Sequence, residues 1–446
     1  MGHKPTSQAP KVLKYPDGFL WGASMSAHQV EGHNHNQWTR WERANAIRLS
    51  VQAQQHFGKL PNWETIRTGA ESESNYVSGN AVDFWHKYPE DIRLAKKLGL
   101  NALRISLEWS RIEPEVGKYD EKAIKKYSLI LKCMKQENIT PIITLWHFTL
   151  PIWAADMGGF LNPKVKDRFV MFSKHMISEF SEYCDTWITF NEPEIYVENG
   201  YINATWPPQE ASKYRAGRVL LSMCDMHEEI YSQVKAAKPT IKIGIAKNNA
   251  YIKPSPFSIA NWIYTKFVNW QRNHDLLGRL KDSLDFIGLN YYFRDHLYFG
   301  KVTNKNEKMS DLGWDVYPEG IYHVLKELKG YKKPIIITEN GIADAGDKQR
   351  EEFIKTTLVA VHKAISQGVN VKGYLHWSLL DNFEWDKGFW PEFGLIEVNR
   401  STQERIIRKS AEYYSKVAEG NSLVEENANP APEEGKNPAR VQENKT

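Results

Sequence analysis

A parallel sheet closed into a single (β/α)8 barrel is the fold that this sequence predicts, and three observations predict it. Eight β-branched, apolar runs recur between residues 19 and 379. Patterns of helical period lie between most of them, and strands alternating with helices imply a parallel sheet. Polar and aromatic residues gather at the C-terminal ends of the runs, the end at which barrels carry their sites. A doubly wound open sheet is the competing architecture, but no Gly-x-Gly-x-x-Gly follows the first run.

The runs span 19–24, 102–109, 141–148, 186–193, 242–248, 285–292, 334–340 and 371–379. Apolar residues at helical spacing mark four segments between them. The first, 89–98, carries Ile92, Ala95 and Leu98 and stops at Gly99. Segment 121–136 carries Ile124, Tyr127, Leu131 and Met134 on one face. Segment 167–180 carries Phe169, Phe172, Met176 and Phe180, and 350–367 carries Phe353, Leu358, Val361 and Ile365 before Gly368. Residues 39–78 form an insertion after the first strand, helix-compatible through His56, loop-like after Gly58, and placed to decorate the surface or wall a site. Segments 249–257 and 293–314 read as long loops on the same face. The barrel domain is expected over 15–419, with a flexible segment at 1–14 and a disordered tail at 420–446 that lacks aromatic residues.

Composition excludes several function classes. Lys plus Arg number 58 and Asp plus Glu 54, a net charge of +4 too balanced for a nucleic-acid or membrane-surface protein. No dense basic patch suits a phosphate backbone. No run approaches a membrane span, and residues 1–14 lack the apolar core of a secretory signal. Cys133, Cys184 and Cys224 are few and widely spaced, which suggests neither a zinc site nor a disulfide framework and fits reduced thiols in a cytoplasm. Sixteen tryptophans fill a core and also suit stacking on sugar faces.

The chemistry concentrates in two runs, Thr189-Phe190-Asn191-Glu192-Pro193 and Ile337-Thr338-Glu339-Asn340-Gly341. Each places a carboxylate where Pro or Gly breaks a buried strand. Glu192 and Glu339 are 147 residues apart, so only a closed fold brings them together. Two facing carboxylates at strand ends are what glycosidic bond cleavage needs; two strand-terminal glutamates in separate salt bridges are the bland alternative. Gln29 and Glu31 follow the first strand, Arg104 lies in the second, and His147 ends the third. Asn290, Tyr291 and Tyr292 end the sixth, Trp377 ends the eighth, and Glu384 and Trp385 lie just beyond. His147 has no second ligand at metal spacing, so no metal is expected.

These runs resemble glycoside hydrolase family 1. The resemblance rests on Phe19-Leu20-Trp21-Gly22-Ala23, Ser26-Ala27-His28-Gln29-Val30-Glu31-Gly32, Glu108-Trp109-Ser110-Arg111-Ile112, Phe190-Asn191-Glu192-Pro193, Thr338-Glu339-Asn340-Gly341 and Trp377-Ser378-Leu379-Leu380-Asp381-Asn382-Phe383-Glu384-Trp385. It covers roughly residues 15–418. It implies a retaining exo-β-glycosidase, a β-glucosidase with β-galactosidase or β-fucosidase side activity and transglycosylation, that takes β-glycosides or short oligosaccharides without a cofactor. A homo-oligomer is compatible with it. Glu192 resembles the acid/base and Glu339 the nucleophile. Gln29, His147, Asn191, Glu384 and Trp385 resemble the residues that hydrogen-bond the sugar, and Trp377 its stacking floor. Arg104, Asn290 and Tyr292 resemble the surroundings of the nucleophile, and Trp314 an aglycone contact.

On this assignment Arg104 and Tyr292 should depress the pKa of Glu339, burial and Glu339 should raise that of Glu192, and the carboxyls should lie about 5–5.5 Å apart. Phe148 and Thr149 depart from a common His-Trp-Asp-Leu-Pro, Phe160 stands where Trp is frequent, and Glu194 replaces an apolar residue. All are expected around the glycone wall or aglycone entrance. Two rival readings remain. A 6-phospho-β-glycosidase would need a cationic pocket at Glu384, where a carboxylate would repel phosphate. A sugar-binding pseudoenzyme would lack one of the two carboxylates.

Overall fold

The computed structural model describes residues 11–256 and 258–425. Eight parallel strands close a barrel: β1 Leu20–Ser24, β2 Ala102–Ser106, β3 Thr140–Trp146, β4 Thr186–Asn191, β5 Lys242–Asn248, β6 Phe286–Asn290, β7 Ile335–Asn340 and β8 Val371–Trp377. Each strand pairs with the one before and after it in sequence, and β8 closes on β1 through Gly373–Leu20 to Trp377–Ser24. The closed ring excludes the open sheet. Most expected strands overrun the observed ones by a residue or more at the C-terminal end. There the chain leaves the ladder and turns into the loops that carry the site.

The barrel interior is filled by one apolar residue from each strand: Leu20, Ala102, Ile142, Ile188, Ala246, Phe286, Ile336 and Leu375. A larger core lies between the sheet and the surrounding helices. These helices are α1 Gln37–Phe57, α2 Trp63–Ala70, α3 Phe84–Lys97, α4 Glu121–Gln136, α5 Pro163–Phe180, α6 Lys213–Ala237, α7 Ile259–Asn269, α8 Asp275–Leu280, α9 Gly320–Leu328, α10 Arg350–Ser366 and α11 Lys409–Gly420. Helix α4 matches its expected bounds, capped by the Asp120 carboxylate on the N–H groups of Lys122 and Ala123. Helix α5 starts four residues earlier than expected, at the Asn162 cap with Pro163 in the first turn. Helix α3 begins at Phe84 and runs through Pro89, which therefore marks the helix interior and not its start.

Three expectations are corrected. Residues after Gly58 are not loop-like: α2 buries Trp63, Ile66 and Ala70 on one face. The expected loops at 249–257 and 293–314 contain a three-stranded sheet of Tyr251–Pro254, Arg294–Tyr298 and Lys301–Val302, while Phe257 lies outside the described residues. Lys11–Lys14 pairs antiparallel with Ser422–Glu425, so ladder structure extends into both spans expected to be flexible or disordered. The rest of those spans, 1–10 and 426–446, lies outside the described residues.

Candidate active site

A polar layer caps the apolar barrel interior. Arg104 points into it from β2 and is 1% exposed. Its Nε donates to Thr144 Oγ1 on β3 at 2.9 Å, its Nη2 to Asn191 Oδ1 on β4 at 2.6 Å and its Nη1 to Glu339 Oε1 on β7 at 2.5 Å. One guanidinium thus ties together three strand ends. Tyr292, just past β6, donates its hydroxyl to the other Glu339 oxygen at 2.6 Å. Asn340 and Gly341 follow, and a Cβ at Gly341 would meet the Trp377 carbonyl oxygen at 1.9 Å, so only glycine passes strand β8 here.

Glu192 leaves β4 with left-handed backbone, φ 43°. Its N–H donates to the Ala246 carbonyl at 2.8 Å, and Pro193 opens a short helix, Pro193–Val197. Proline suits that position because a first-turn N–H would have no partner. Glu192 Oε1 accepts from Asn290 Nδ2 at 2.8 Å and from Asn248 Nδ2 at 2.9 Å. No cation holds it. Asn290 Nδ2 also donates to Asn191 Oδ1 at 3.2 Å, and its Oδ1 accepts from Thr338 Oγ1 at 2.6 Å.

Burial pushes Glu192 up to about 7, with Glu339 as the second cause and the two amides pulling the other way. Glu339 is also raised, against the expectation that it is depressed: burial outweighs Arg104 and Tyr292, which both pull downward. Glu384 is pushed up to about 8 by burial, then by Glu339 and Asp386. Burial, Arg104 and His28 hold His147 well below its ordinary value, so its ring is neutral. Asn191 Oδ1 accepts from Arg104, so Asn191 Nδ2 donates to His147 Nε2 at 3.1 Å. The imidazole proton therefore sits on Nδ1, which is buried and has no protein partner.

A cavity of about 400 Å³ opens over this layer, lined by Glu192, Glu339, Asn191, His147, Tyr292, Trp314, Trp377, Glu384 and Trp385 among others. Of the twelve residues to which the resemblance gives a role, nine line the cavity, and Asn290 hydrogen-bonds Glu192 beneath it. Arg104 reaches it through Glu339. Gln29 is buried beneath the wall instead. Its Nε2 is committed to Asn382 Oδ1, the Phe383 carbonyl and Glu384 Oε2, at 3.0, 2.8 and 3.5 Å, and its Oε1 accepts from Ser26.

Helix α1, whose first turn precedes the insertion, backs this wall. Trp38 of α1 packs against Trp385, with ring centroids 4.7 Å apart, and donates to the Phe148 carbonyl. No lining residue comes from 39–78. Phe148 lines the cavity as expected, but Phe160 lies wholly in the aromatic core against Trp109, Trp146, Phe169 and Phe190. Thr149 is also buried, its hydroxyl on Glu108. Glu194 pairs with the buried Lys247 Nζ at 2.6 Å, just below Asn248.

Two features were missed. Asn248 ends β5, the one strand end at which no polar residue was singled out, and the same positional rule would have found it. Lys387 and Arg272 also line the cavity, and neither was singled out from the sequence. Both are paired, Lys387 Nζ with Asp386 at 2.6 Å and Arg272 with Asp295 at 2.8 Å. Lys387 lies in a loop, outside any strand-end pattern.

The arrangement offers an oxygen nucleophile held by a cation and a hydroxyl, a second carboxyl poised to give and take a proton, and hydrogen-bonding groups with aromatic faces around an open space. The family model for glycosyl hydrolase family 1 matches residues 12–272 and 266–423. Beta-glucosidase A of Thermotoga maritima is 30% identical over 461 residues, which cover 92% of this chain and 99% of that protein. A 6-phospho-beta-galactosidase of Clostridium acetobutylicum is 28% identical, covering 92% and 98%. The solved structure of a beta-glycosidase from Pyrococcus horikoshii superposes with a TM-score of 0.82 at 35% identity, covering 93% of this chain and 96% of that one. The chain belongs to glycosyl hydrolase family 1.

Proposed function

We propose that the protein is a retaining exo-β-glycosidase that removes terminal β-D-glucosyl residues, and β-D-galactosyl or β-D-fucosyl residues more slowly. The asymmetry between two buried carboxyls carries the reading. Glu339 is held by Arg104 and Tyr292, while Glu192 has only amide partners and is pushed up to about 7. That difference makes one an ionised nucleophile and the other a protonated acid at neutral pH.

In the proposed reaction Glu339 attacks the anomeric carbon as Glu192 gives its proton to the departing oxygen. The glycosyl–Glu339 ester then forms, and the aglycone leaves as an alcohol. Glu192, now a carboxylate, takes a proton from water, whose oxygen attacks the anomeric carbon and frees Glu339. Arg104 and Tyr292 orient Glu339 and stabilise its charge when it leaves. His147 donates Nδ1–H to a sugar hydroxyl, Asn191 stands beside it, and Trp377 and Trp385 face the ring. Glu384, neutral below about pH 8, both accepts from and donates to the sugar's 4- and 6-hydroxyls. Gln29 acts through Glu384, whose loop it holds. Trp314 meets the aglycone.

Lys387 favours a second reading. It lies three residues from Glu384, on the cavity wall, and a neutral Glu384 would repel phosphate less than a carboxylate. A 6-phosphoglycoside would have to part Lys387 from Asp386, and Asp386 would then face the phosphate, so the neutral sugar is preferred. The test is kcat/KM on aryl glucoside, galactoside, fucoside and 6-phosphoglucoside. The neutral glucoside should lead, and a faster 6-phosphoglucoside would establish the second reading. No release from any of them would point to a binding protein.

A further inference from the structure

Helix α7 is built inside out. Its buried face carries Asn261 and Thr265, 0% and 2% exposed, while Ile259, Ile263 and Phe267 are 81%, 59% and 57% exposed. Trp262 and Trp270 extend the same stripe, at the i, i+3, i+4 spacing of one helical face. The inversion is held in place. Asn261 donates from Nδ2 to the Leu297 carbonyl at 2.9 Å and accepts the Phe299 N–H at 2.8 Å, which locks the helix onto the Arg294–Tyr298 strand. The tip of that hairpin adds exposed Phe299 beside Tyr264, ring centroids 6.0 Å apart.

Such a face on a chain otherwise patterned normally marks a contact surface. Its charge identifies the partner. Residues 251–274 contain no Asp or Glu, nor do 296–306. The cations Lys266, Lys301 and Lys305 are exposed around the aromatic face. A second copy docked on the same patch would bring these like charges together. Tryptophan, phenylalanine and lysine on one helical face are instead the composition of an element that lies in a bilayer interface. The surface also adjoins the mouth of the cavity. Arg272, in the turn after α7, and Phe293, just before the hairpin strand, both line it.

We infer that the face of α7 and the adjoining hairpin tip docks this protein on anionic lipid bilayers. This departs from the expectation drawn from net charge, because a whole-chain balance of +4 conceals two adjoining segments that carry no acid of their own; Glu327 sits at the far end of the helix on Asn269. No helix among the described residues is long and apolar enough to cross a membrane, so contact is with the interface only. The aromatic side chains enter the headgroup region and the lysines meet anionic headgroups, an attraction that salt weakens.

Co-sedimentation of the full chain with phosphatidylcholine vesicles, with and without phosphatidylglycerol, tests this by binding alone, whatever glycoside the enzyme cleaves. The wild-type chain should bind vesicles containing phosphatidylglycerol, and more weakly at high salt. W262S/F267S/F299S should lose about tenfold or more in affinity, while its circular dichroism and its turnover of a soluble aryl glycoside match wild type. K266Q/K301Q/K305Q, which spares the apolar face, should lose the preference for phosphatidylglycerol. Wild type remaining in the supernatant with both lipids overturns the inference, as does binding undiminished in the aromatic variant. A wild-type oligomer that the aromatic substitutions dissociate, with no vesicle binding, assigns the patch to a second copy and overturns it too.

Discussion

Replacing Asn248 with leucine should move the alkaline limb of the pH–rate profile upward. Asn248 Nδ2 donates to Glu192 Oε1 at 2.9 Å, and that bond favours the ionised form. The side chain ends β5, so leucine keeps the bulk and excludes water from the vacated place. A hydrogen bond to a charged group is worth roughly 1.5–3 kcal/mol. At about 1.36 kcal/mol per pH unit its loss would raise the Glu192 pKa by about 1–2 units. The remaining amide of Asn290 can tighten, so the lower figure is expected. The proposed acid must be protonated to act, so kcat/KM falls as pH rises through the Glu192 pKa, about 7 in the wild type. In the variant that fall should begin about one unit higher, and the acidic limb, set by Glu339, should stay in place. The assay is kcat/KM for an aryl β-glucoside with a poor leaving group from pH 4 to 10. An alkaline limb that stays put or moves down refutes the assignment of Glu192 as the acid, or of Asn248 as its partner.

Three further outcomes are expected. Glu339→Gly should be folded and nearly inactive, and azide should restore turnover with a product of opposite anomeric configuration; substantial activity without azide would contradict the nucleophile assignment. Glu192→Gln should slow cellobiose far more than dinitrophenyl glucoside, because a good leaving group needs little protonation, so equal losses would count against it. Glu384→Gln should stabilise the protein at pH 8 and not at pH 4. The folded pKa of about 8 lies above the ordinary 4.5, so wild-type stability falls as pH rises from the lower value to the higher. The full displacement would be worth roughly 5 kcal/mol, and solvent at this half-buried side chain reduces it. Denaturant midpoints at the two pH values measure it, and a stability difference independent of pH would show that Glu384 is not so displaced.

The barrel was legible because its strands are buried on both faces and read as unbroken apolar runs. The site was legible because a barrel presents the C-terminal ends of all its strands on one side, so Glu192, Glu339 and His147 could be grouped before their contacts were known. What escaped has physical reasons. Lys387 sits in a loop whose path depends on the 3-10 turn at Trp385–Lys387 and on contacts with Asn75, more than 300 residues away. The strand Tyr251–Pro254 gains its partner from Arg294–Tyr298, so neither half announces a sheet. The direction of the Glu339 shift failed because a motif names the partners of a carboxylate but not how thoroughly the fold strips it of water. The resemblance gives Gln29 a sugar contact, and only the loop around Glu384 shows the partners that its amide already has.

Charge balance in the cavity explains why similar carboxyls can hold different protons. Glu192 and Glu339 are buried and Glu384 is half-buried, all within one electrostatic neighbourhood, since Glu339 raises both of the others. Among the described residues, Arg104 is the one cation that hydrogen-bonds any of the three, and it binds Glu339. Lys387 is taken by Asp386 and Arg272 by Asp295. Burying a second or third unpaired negative charge would cost several kcal/mol, so the site resolves the conflict by retaining protons. Glu339, beside the guanidinium, is the carboxyl that ionises at least cost, and Glu192 and Glu384 stay neutral until about pH 7 and 8. The division of labour that the proposed mechanism requires therefore follows from where one arginine side chain ends. When the proposed ester forms, the negative charge of Glu339 is consumed and its repulsion on Glu192 is relieved. The pKa of Glu192 should then fall, which turns the acid of the first step into the base of the second.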